Sequence, residues 1–337
     1  MAKRVNGVVR VALIGTGGIT HPHARGFLHH KDKIQCVALC DIREEAMEAR
    51  AKQLGTDLPR YKDWKKLLKE MGDEIDAVDI CLPHYLHGPA ILDAAAAGKH
   101  ILCEKPMCIS LKEADAIERA VKKAGVTYMS GHNQLFMPVV REAKKMIDEG
   151  AIGEIRWLRS QDCFRVELND KNPFRNSWRA KLKTQGGGEL IDTGYHPSYR
   201  LLYLANSKPT MIRGNLARFM QPIEGDDTAS VQVRFANGAL GEILTSWAFD
   251  NPHGSHQIHV IGEKGQIFGS ENTLYYLPTG FSEPSKRTFE PVETFTAEIG
   301  HFADALRNGT RPIHSVEEGR AVLELILEAA KGWDKQK

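Results

Sequence analysis

Two glycines near the start of the chain have the type and spacing that phosphate binding requires. The segment "ALIGTGGIT" places Gly15 and Gly17 after a strand-like apolar run and before a helix-like stretch. In a dinucleotide-binding turn the first glycine permits the tight turn and the second lets the backbone approach a pyrophosphate at the helix N-terminus. Thr20 stands where a third glycine is usual. A purely structural glycine turn is the alternative interpretation.

Asp41 is spaced to bind a ribose. It ends the second strand-like run, 21 residues after Thr20, where a carboxylate can accept hydrogen bonds from an adenosine ribose and repel a 2′-phosphate. This favours NAD over NADP as the cofactor, although Arg43 could partly offset the repulsion. Asp41 could also be the N-cap of the following helix, and the two roles do not exclude each other.

Charge and composition exclude several classes of protein. With 45 Lys+Arg and 43 Asp+Glu the net charge is +2, so there is no basic footprint for nucleic acid or an anionic membrane. No apolar run approaches the roughly 20 residues of a membrane helix, and the N-terminus lacks the apolar stretch of a signal peptide. We therefore expect a cytoplasmic protein.

The cysteines and histidines give no pattern typical of a metal site. Six cysteines lie mostly in apolar runs without a CxxC pair, so we predict reduced core residues. His253, His256 and His259 recur at threes, but on a strand this spacing alternates between faces, and no Cys or carboxylate cluster joins them. No metal ligand is predicted.

The elements that would position these residues alternate regularly up to about residue 130. Apolar runs predict strands and amphipathic stretches predict helices, which indicates a doubly wound parallel α/β sheet of the Rossmann type. Lys105, in "HILCEKP", then lies at the carboxyl edge of the sheet, where ligands bind in such folds. The predicted strands are 8–14, 35–41, 74–82, 100–105 and 126–131, and the helices are 43–55, 63–72, 88–99 and 110–125.

The pattern changes after residue 130. Alternating stretches with the turn signals "ANG" and "GEKG" predict antiparallel strands of one open sheet. We therefore predict two domains, a dinucleotide-binding Rossmann domain at 1–130 and an α+β domain at 131–337. The second has a large, open, mostly antiparallel sheet, strand-like runs at 154–164, 227–249 and 256–270, and helices at 138–150, beyond the glycines of 186–204, at 294–308 and at 315–331.

Several segments together resemble one known family, the glucose-fructose oxidoreductase, inositol dehydrogenase and rhizopine-catabolism (Gfo/Idh/MocA) family. They are "VALIGTGGITHPHA", "VALCD", "AVDICLPHYLHGPAILDAAAAGKHILCEKP", "GHNQLFMP", "GAIGEI" and "GGGELIDTGYH". The resemblance covers almost the whole chain, and the order and spacing of the segments make it specific.

This resemblance implies that Lys105, Asp192 and His196 are catalytic. An imidazole titrates near neutral pH and suits a base that accepts a hydroxyl proton. Lys105 as an ammonium would orient the hydroxyl and stabilise an alkoxide, and whether it takes the proton itself stays open. Asp192, four residues before His196, could share a helical face with it unless Pro197 breaks the helix. By residue type alone, the three would be a solvated lysine, a surface carboxylate and a turn histidine.

The resemblance also supplies expected cofactor and substrate contacts. The cofactor set is Gly15, Thr16, Gly17, Gly18, Ile19, Thr20, Asp41, Arg43, Leu82, Pro83, His84, His87, Glu104 and Lys105. The substrate set is Lys105, Asn133, Gln134, Trp178, Arg179, Asp192, His196 and Tyr199.

Two positions depart from the family pattern. Many inositol-type relatives carry an acidic residue where Tyr199 stands, and commonly an Arg in the segment aligned with Gln134 and Leu135, so we expect an altered polyol-binding shell. Trp178 and Arg179 offer an aromatic face and a hydrogen-bonding fork for a sugar. Packing of their loop onto the second domain is the alternative.

Taken together, the sequence predicts an NAD-dependent dehydrogenase that acts on a secondary hydroxyl of a sugar, cyclitol or polyol, with NADP as the less favoured cofactor. The alternative is a catalytically inactive NAD-binding sensor with the same fold. The resemblance implies a homodimer or homotetramer formed through the C-terminal sheet, with a small-molecule substrate and no nucleic-acid or membrane partner.

Overall fold

The chain divides into two compact units. A computed structural model describes residues 4–333. The first unit contains the chain up to Asn133 together with Glu293–Arg320, and the second contains Gln134–Val292 and the chain from Ala321. A single division at residue 130 would place Glu293–Arg320 in the second domain. In the structure this segment belongs to the first unit.

The first unit is built on a parallel sheet. Its order is β3-β2-β1-β4-β5-β6, and its strand pairs are parallel. This is the Rossmann order, which confirms the predicted doubly wound domain. The strands are β1 (Val9–Ile14), β2 (Ile34–Cys40), β3 (Arg60–Tyr61), β4 (Ala77–Ile80), β5 (His100–Glu104) and β6 (Tyr128–Gly131).

Local capping explains why the helix borders follow the sequence. For example, the Ser110 side chain accepts the Glu113 N–H at the start of α5, and Gly125, with φ 64°, ends that helix. The helices are α1 (Thr20–His29), α2 (Glu44–Leu54), α3 (Trp64–Glu70), α4 (His84–Ala96), α5 (Leu111–Ala124), α6 (Pro138–Asp148), α7 (Leu182–Gln185), α8 (Tyr195–Ala205), α9 (Thr294–Asn308) and α10 (Val316–Ala329).

The second unit contains an open sheet of order β14-β13-β12-β11-β7-β10-β9-β8. Its described pairs are antiparallel except β7 with β10, which confirms the mostly antiparallel sheet. The sequence interpretation missed β8, β13 and β14. The strands are β7 (Ile155–Cys163), β8 (Pro209–Ala217), β9 (Thr228–Phe235), β10 (Leu240–Ser246), β11 (Ile258–Gly262), β12 (Gly265–Ser270), β13 (Thr273–Pro278) and β14 (Ser285–Thr288).

Two composition-based expectations concern the cysteines and membrane-spanning helices. All six cysteines are free and buried, as expected for reduced core residues. Among residues 4–333, no helix combines the length and the apolar character needed to span a bilayer.

Gly15 marks the point where β1 and β4, central neighbours in the parallel sheet, end side by side. Its φ is +88°, and a Cβ placed there would lie 2.3 Å from the Cys81 carbonyl oxygen. Both the dihedral angle and the contact require glycine. By contrast, a Cβ at Gly18 would meet nothing within 4 Å.

Gly15→Ala should therefore destabilise the fold while Gly18→Ala does not. We expect Gly15→Ala to lower the free energy of unfolding by about 2 kcal/mol or more, since it adds left-handed strain to a backbone clash. Gly18→Ala should change it by less than about 1 kcal/mol. Urea denaturation followed by circular dichroism measures both, and equal midpoints for the two variants would contradict the argument.

Candidate active site

The glycine turn after β1 is fastened to Asp41 after β2. One carboxylate oxygen, Oδ2, accepts the Thr16 N–H at 2.8 Å and the Thr16 hydroxyl at 3.1 Å. The other, Oδ1, accepts the Arg43 N–H at 3.0 Å. Burial by itself would raise the pKa of Asp41, but these hydrogen bonds and the Arg43 guanidinium outweigh it and lower the pKa. Asp41 is therefore a fixed negative charge at the end of β2.

The capping role considered for Asp41 is corrected by this geometry. The N-cap of α2 is Arg43, whose side chain makes no capping hydrogen bond. Asp41 instead closes a local turn by accepting the N–H two residues ahead. Its carboxylate retains acceptor capacity beyond the three hydrogen bonds it accepts within the chain.

The rest of the turn fits a pyrophosphate. The nearest atom to a Cβ at Gly17 would be an Arg43 nitrogen at 3.7 Å, and a Cβ at Gly18 would meet nothing within 4 Å. No contact with the described part of the chain therefore explains glycine at either position. Close approach of a phosphate to the backbone would explain both. Thr20, in the third-glycine position, begins α1 and donates its hydroxyl proton to the Gly17 carbonyl at 2.6 Å.

Lys105 follows β5, and hydrogen bonds hold its own N–H and the carbonyl of the residue after it. The Lys105 N–H donates to Glu104 Oε2 at 3.2 Å. The Pro106 carbonyl oxygen lies 2.6 Å from His87 Nδ1, and His87 Nε2 lies 2.7 Å from the Leu82 carbonyl oxygen. The Lys105–Pro106 peptide is cis. His87, expected to contact a cofactor, thus joins the loops that follow β4 and β5.

A buried polar cluster lies behind Glu104. His23 Nδ1 is 2.8 Å from Asp79 Oδ2, and His23 Nε2 is 3.1 Å from Glu104 Oε1. Asp79 is opposite Leu102 in the β4–β5 register, so Glu104, two residues further along, points to the same face of the sheet. His23 therefore ties the carboxyl ends of β4 and β5 together.

Protonation reduces the net negative charge of this cluster. Burial would lower the pKa of His23, but the Asp79 carboxylate outweighs burial and raises it well above its usual value. Glu298 of α9 is fully buried, and neither of its carboxyl oxygens has a hydrogen-bond partner among residues 4–333. Burial, reinforced by the charge of Glu104, raises the pKa of Glu298 well above its usual range. The cluster thus holds an imidazolium and a neutral carboxyl group.

The spacing of the cluster would also suit a cation, which the sequence interpretation did not consider. Among the described residues, two groups of side chains could supply metal-ligand atoms. One is His23 with Asp79 and Cys81, and the other is His23 with Glu104 and Glu298. Within each group the ligand atoms lie within 4.8 Å of one another. Protonated His23 already supplies a positive charge at their centre, as a cation would.

Asp192, in the second unit, is paired with Arg179. Arg179 Nε donates to Asp192 Oδ2 at 2.7 Å, and the carboxyl group is 6% exposed. The suggestion that Asp192 shares a helical face with His196 is corrected, because α8 begins only at Tyr195 and Asp192 lies in the preceding turn. Pro197 is tolerated because it falls in the first turn of α8.

His196 is joined to Tyr199, one turn further along α8. His196 Nδ1 lies 2.7 Å from the Tyr199 hydroxyl oxygen, which also accepts the Gln134 N–H at 3.1 Å. Buried Arg200 binds the Gln134 side-chain oxygen and donates to Ser160 and to the Gln161 carbonyl. Gln134 and Tyr199, expected to contact substrate, therefore support His196.

Other expected substrate residues have partners within their own units. The Asn133 amide donates to the Thr294 hydroxyl at 2.9 Å. The Arg179 guanidinium stacks over the Trp178 ring at 4.2 Å from its centre. Of the histidines at threes, only His259 lies in a strand, and it bonds to Gln266 at 2.7 Å.

Comparison with known proteins assigns the family. Residues 9–132 match the family described as "Oxidoreductase family, NAD-binding Rossmann fold", and residues 140–268 match the "GFO/IDH/MocA C-terminal domain". The chain belongs to the Gfo/Idh/MocA family. This confirms the resemblance inferred from the motifs and makes the chain an oxidoreductase with an NAD-binding domain.

Relatives in the Gfo/Idh/MocA family extend over most of the chain. The scyllo-inositol 2-dehydrogenase (NAD(+)) of Bacillus subtilis (strain 168) is 29% identical, with 96% of this chain and 94% of the relative covered. The 2,7-anhydro-N-acetylneuraminate hydratase of Escherichia coli (strain K12) is 36% identical over a region that covers 57% of this chain and 51% of the hydratase. A levoglucosan dehydrogenase structure with NADH and levoglucosan matches at 25% identity, with a TM-score of 0.85 and 98% of each chain covered.

The motif-based reading of this Gfo/Idh/MocA chain missed Asp79 and Glu298. A signal was available, since each is an acid among apolar neighbours, Asp79 in a buried strand and Glu298 on the buried side of α9. Acids are almost never fully buried unless they are paired. That they meet at His23 follows only from the fold.

Glu298→Gln should flatten the dependence of stability on pH. A carboxyl group with a higher pKa in the folded than in the unfolded state keeps its proton after the unfolded state has lost it. Folding is then progressively destabilised as the pH rises above the unfolded value of about 4.3, by up to ~1.4 kcal/mol per pH unit. A neutral glutamine removes this contribution.

Urea denaturation at pH 5 and pH 8 measures the effect. The free energy of unfolding should fall by at least ~1 kcal/mol more in the wild type than in Glu298→Gln. Glu48→Gln, on the exposed side of α2, is the matched control and should behave as the wild type. A parallel decline in all three proteins would show that Glu298 is ionised when folded.

Proposed function

We propose that this protein is an NAD-dependent dehydrogenase that oxidises a secondary hydroxyl of a sugar, cyclitol or related polyol to a ketone, or catalyses the reverse reduction. The observation that carries the proposal is the fixed Lys105 at the carboxyl end of β5, held by Glu104 and His87, in a chain whose relatives include a scyllo-inositol dehydrogenase aligned over nearly its whole length.

Lys105 and His196 are the proposed proton-transfer groups. NAD, when bound, accepts the hydride from the carbinol carbon. The Lys105 ammonium stabilises negative charge that develops on the substrate oxygen. His196 takes the hydroxyl proton, so the O–H bond breaks as the C–H pair of electrons leaves. Asp192, paired with Arg179, orients this set, and Trp178 and Arg179 contact the substrate.

NAD is the proposed cofactor in preference to NADP. The support is Asp41, a fixed carboxylate whose pKa is lowered and which would repel a 2′-phosphate. The exposed Arg43 lies 3.5 Å from it and only partly offsets this charge. Pro83, His84 and Glu104 are proposed to line the nicotinamide end, and the division into a cofactor domain and a substrate domain is part of the same proposal.

A second candidate is a reaction without net oxidation. It is favoured by the 36% identity to the E. coli hydratase. Such an enzyme would consume its substrate without a net change in the amount of NADH. The inactive sensor is the third possibility, and it would bind NAD without turnover.

A panel of polyols, sugars and anhydro sugars tested with NAD and NADP distinguishes these functions. We expect reduction of NAD at the nicotinamide absorbance band with at least one polyol, and weaker reduction of NADP. Substrate consumed without net NADH, detected by mass spectrometry, would favour the hydratase type of reaction. NADH binding without any turnover would favour the sensor.

Lys105→Met tests the assigned lysine on the active substrate. Loss of the ammonium should lower kcat about 100-fold, while NADH binding, measured by fluorescence, stays within about twofold because the backbone contacts remain. Lys112→Met, on the exposed side of α5, is the control and should match the wild type. Unchanged turnover in Lys105→Met would remove Lys105 from the mechanism.

We further propose a cytoplasmic homodimer or homotetramer that pairs through the sheet of the second unit. Trp157, Phe268 and Tyr275 lie half-buried on this sheet, and the last two stack with ring centres 5.2 Å apart. Aromatic residues are enriched at subunit contacts. Six buried free cysteines support a reducing compartment.

Light scattering tests the assembly. We expect two or four times the 37.6 kDa of one chain, and Trp157→Glu should lower the measured mass because it places a charge on the pairing face. A mass of one chain for the wild-type protein would refute the assembly without bearing on catalysis.

A further inference from the structure

The hydroxyl of Tyr199 is positioned to control His196. We propose that Tyr199 is a positioning residue whose oxygen accepts the Nδ1–H of His196, so that Nε2 is the nitrogen that exchanges a proton with the substrate. The inference rests on the proposed function of His196. It assigns a task to a position where many inositol-type relatives carry an acidic residue.

The contact with Tyr199 occupies the Nδ1 atom of the His196 imidazole. His196 Nδ1 lies 2.7 Å from the Tyr199 oxygen, within the range of a good hydrogen bond. A neutral imidazole carries one proton, and the hydrogen bond made by one nitrogen decides which form is present. If Nε2 is to accept a proton, Nδ1 must carry the hydrogen, and the tyrosine oxygen then accepts it before and after proton transfer.

Tyr199 can play this part because it is itself held rigidly. The residue is fully buried, and its ring packs edge-on against Tyr195 with centres 6.5 Å apart. Its oxygen also accepts the Gln134 main-chain N–H. Gln134 in turn is bound by Arg200, whose side chain is completely buried. The phenol oxygen, which accepts the Gln134 N–H and lies 2.7 Å from His196 Nδ1, is thus fixed in place.

A neutral acceptor differs from a carboxylate in the same role. Both fix the tautomer, but a carboxylate stabilises the imidazolium much more strongly. Tyr199 therefore orients His196 without placing the negative charge of a carboxylate beside the imidazole.

Other charged groups around α8 stay unchanged when the hydroxyl is removed. On the helix itself is Arg200, which faces Asp162 of β7. The preceding turn contributes Glu189 and the Asp192–Arg179 pair. Lys144 of α6 lies over the Tyr203 ring, and Arg141 and Asp148 of the same helix also act on that tyrosine.

Tyr199→Phe tests the contact directly, because it removes one oxygen and keeps the ring. Nitrogen-15 NMR of histidine-labelled protein, assigned with His196→Gln, reports the tautomer and pKa of His196 without any substrate. We expect the Nδ1–H form in the wild type. In Tyr199→Phe this preference should be lost, and the pKa of His196 should fall by roughly 0.5–1 unit.

Tyr276→Phe is the matched control. It makes the same chemical change at a hydroxyl that donates to the Ala151 carbonyl and should leave both His196 signals as in the wild type. A His196 that keeps its tautomer and pKa in Tyr199→Phe would overturn the proposal, as would a wild-type ring protonated at Nε2 alone.

Kinetics with the polyol found active in the panel complete the test. Tyr199→Phe should lower kcat/KM about tenfold, move the acidic limb of its pH profile to lower pH and leave NADH binding within twofold. An unchanged profile overturns the proposal. If the wild type oxidises no polyol, the proposed function fails, whereas the NMR result still decides the contact.

Discussion

The position of Lys105 depends on one buried imidazole. His23, carried by α1, bonds to Asp79 of β4 through one nitrogen and to Glu104 of β5 through the other. Because a carboxylate can only accept, both nitrogens donate, and the positive ring holds two strand ends that would otherwise repel each other. Glu104 then fixes the backbone of Lys105. Without this ion the buried carboxylates would be uncompensated, which is among the costliest defects in a protein core.

The two units hold residues of the proposed site by different kinds of interaction. In the first, charged groups and backbone carbonyls fix a lysine. In the second, a phenol fixes His196 and a guanidinium fixes Asp192. In each case a residue of the proposed site is held, through its backbone or its side chain, by a neighbour that is itself buried or hydrogen-bonded.

Membership of the Gfo/Idh/MocA family establishes the fold and an oxidoreductase with an NAD-binding domain, but it does not establish the substrate. Gln134 and Tyr199, where the sequence was expected to depart from the family pattern, lie in one hydrogen-bonded network around His196. Two positions that look independent in the sequence are therefore coupled in the structure.

The sequence by itself determined the features that depend on short segments. Apolar periodicity predicted the parallel sheet, glycine chemistry predicted the turn at Gly15, and spacing placed Asp41 and Lys105 at strand ends. Local propensity did not define β8, β13 or β14, whose pairing with neighbouring strands decides their conformation. Only the tertiary structure brought Glu298 to His23, through the return of Glu293–Arg320 to the first unit, and Tyr199 to Gln134. These contacts join residues far apart in the chain, where sheet register and chain path set the distances and no local pattern encodes them.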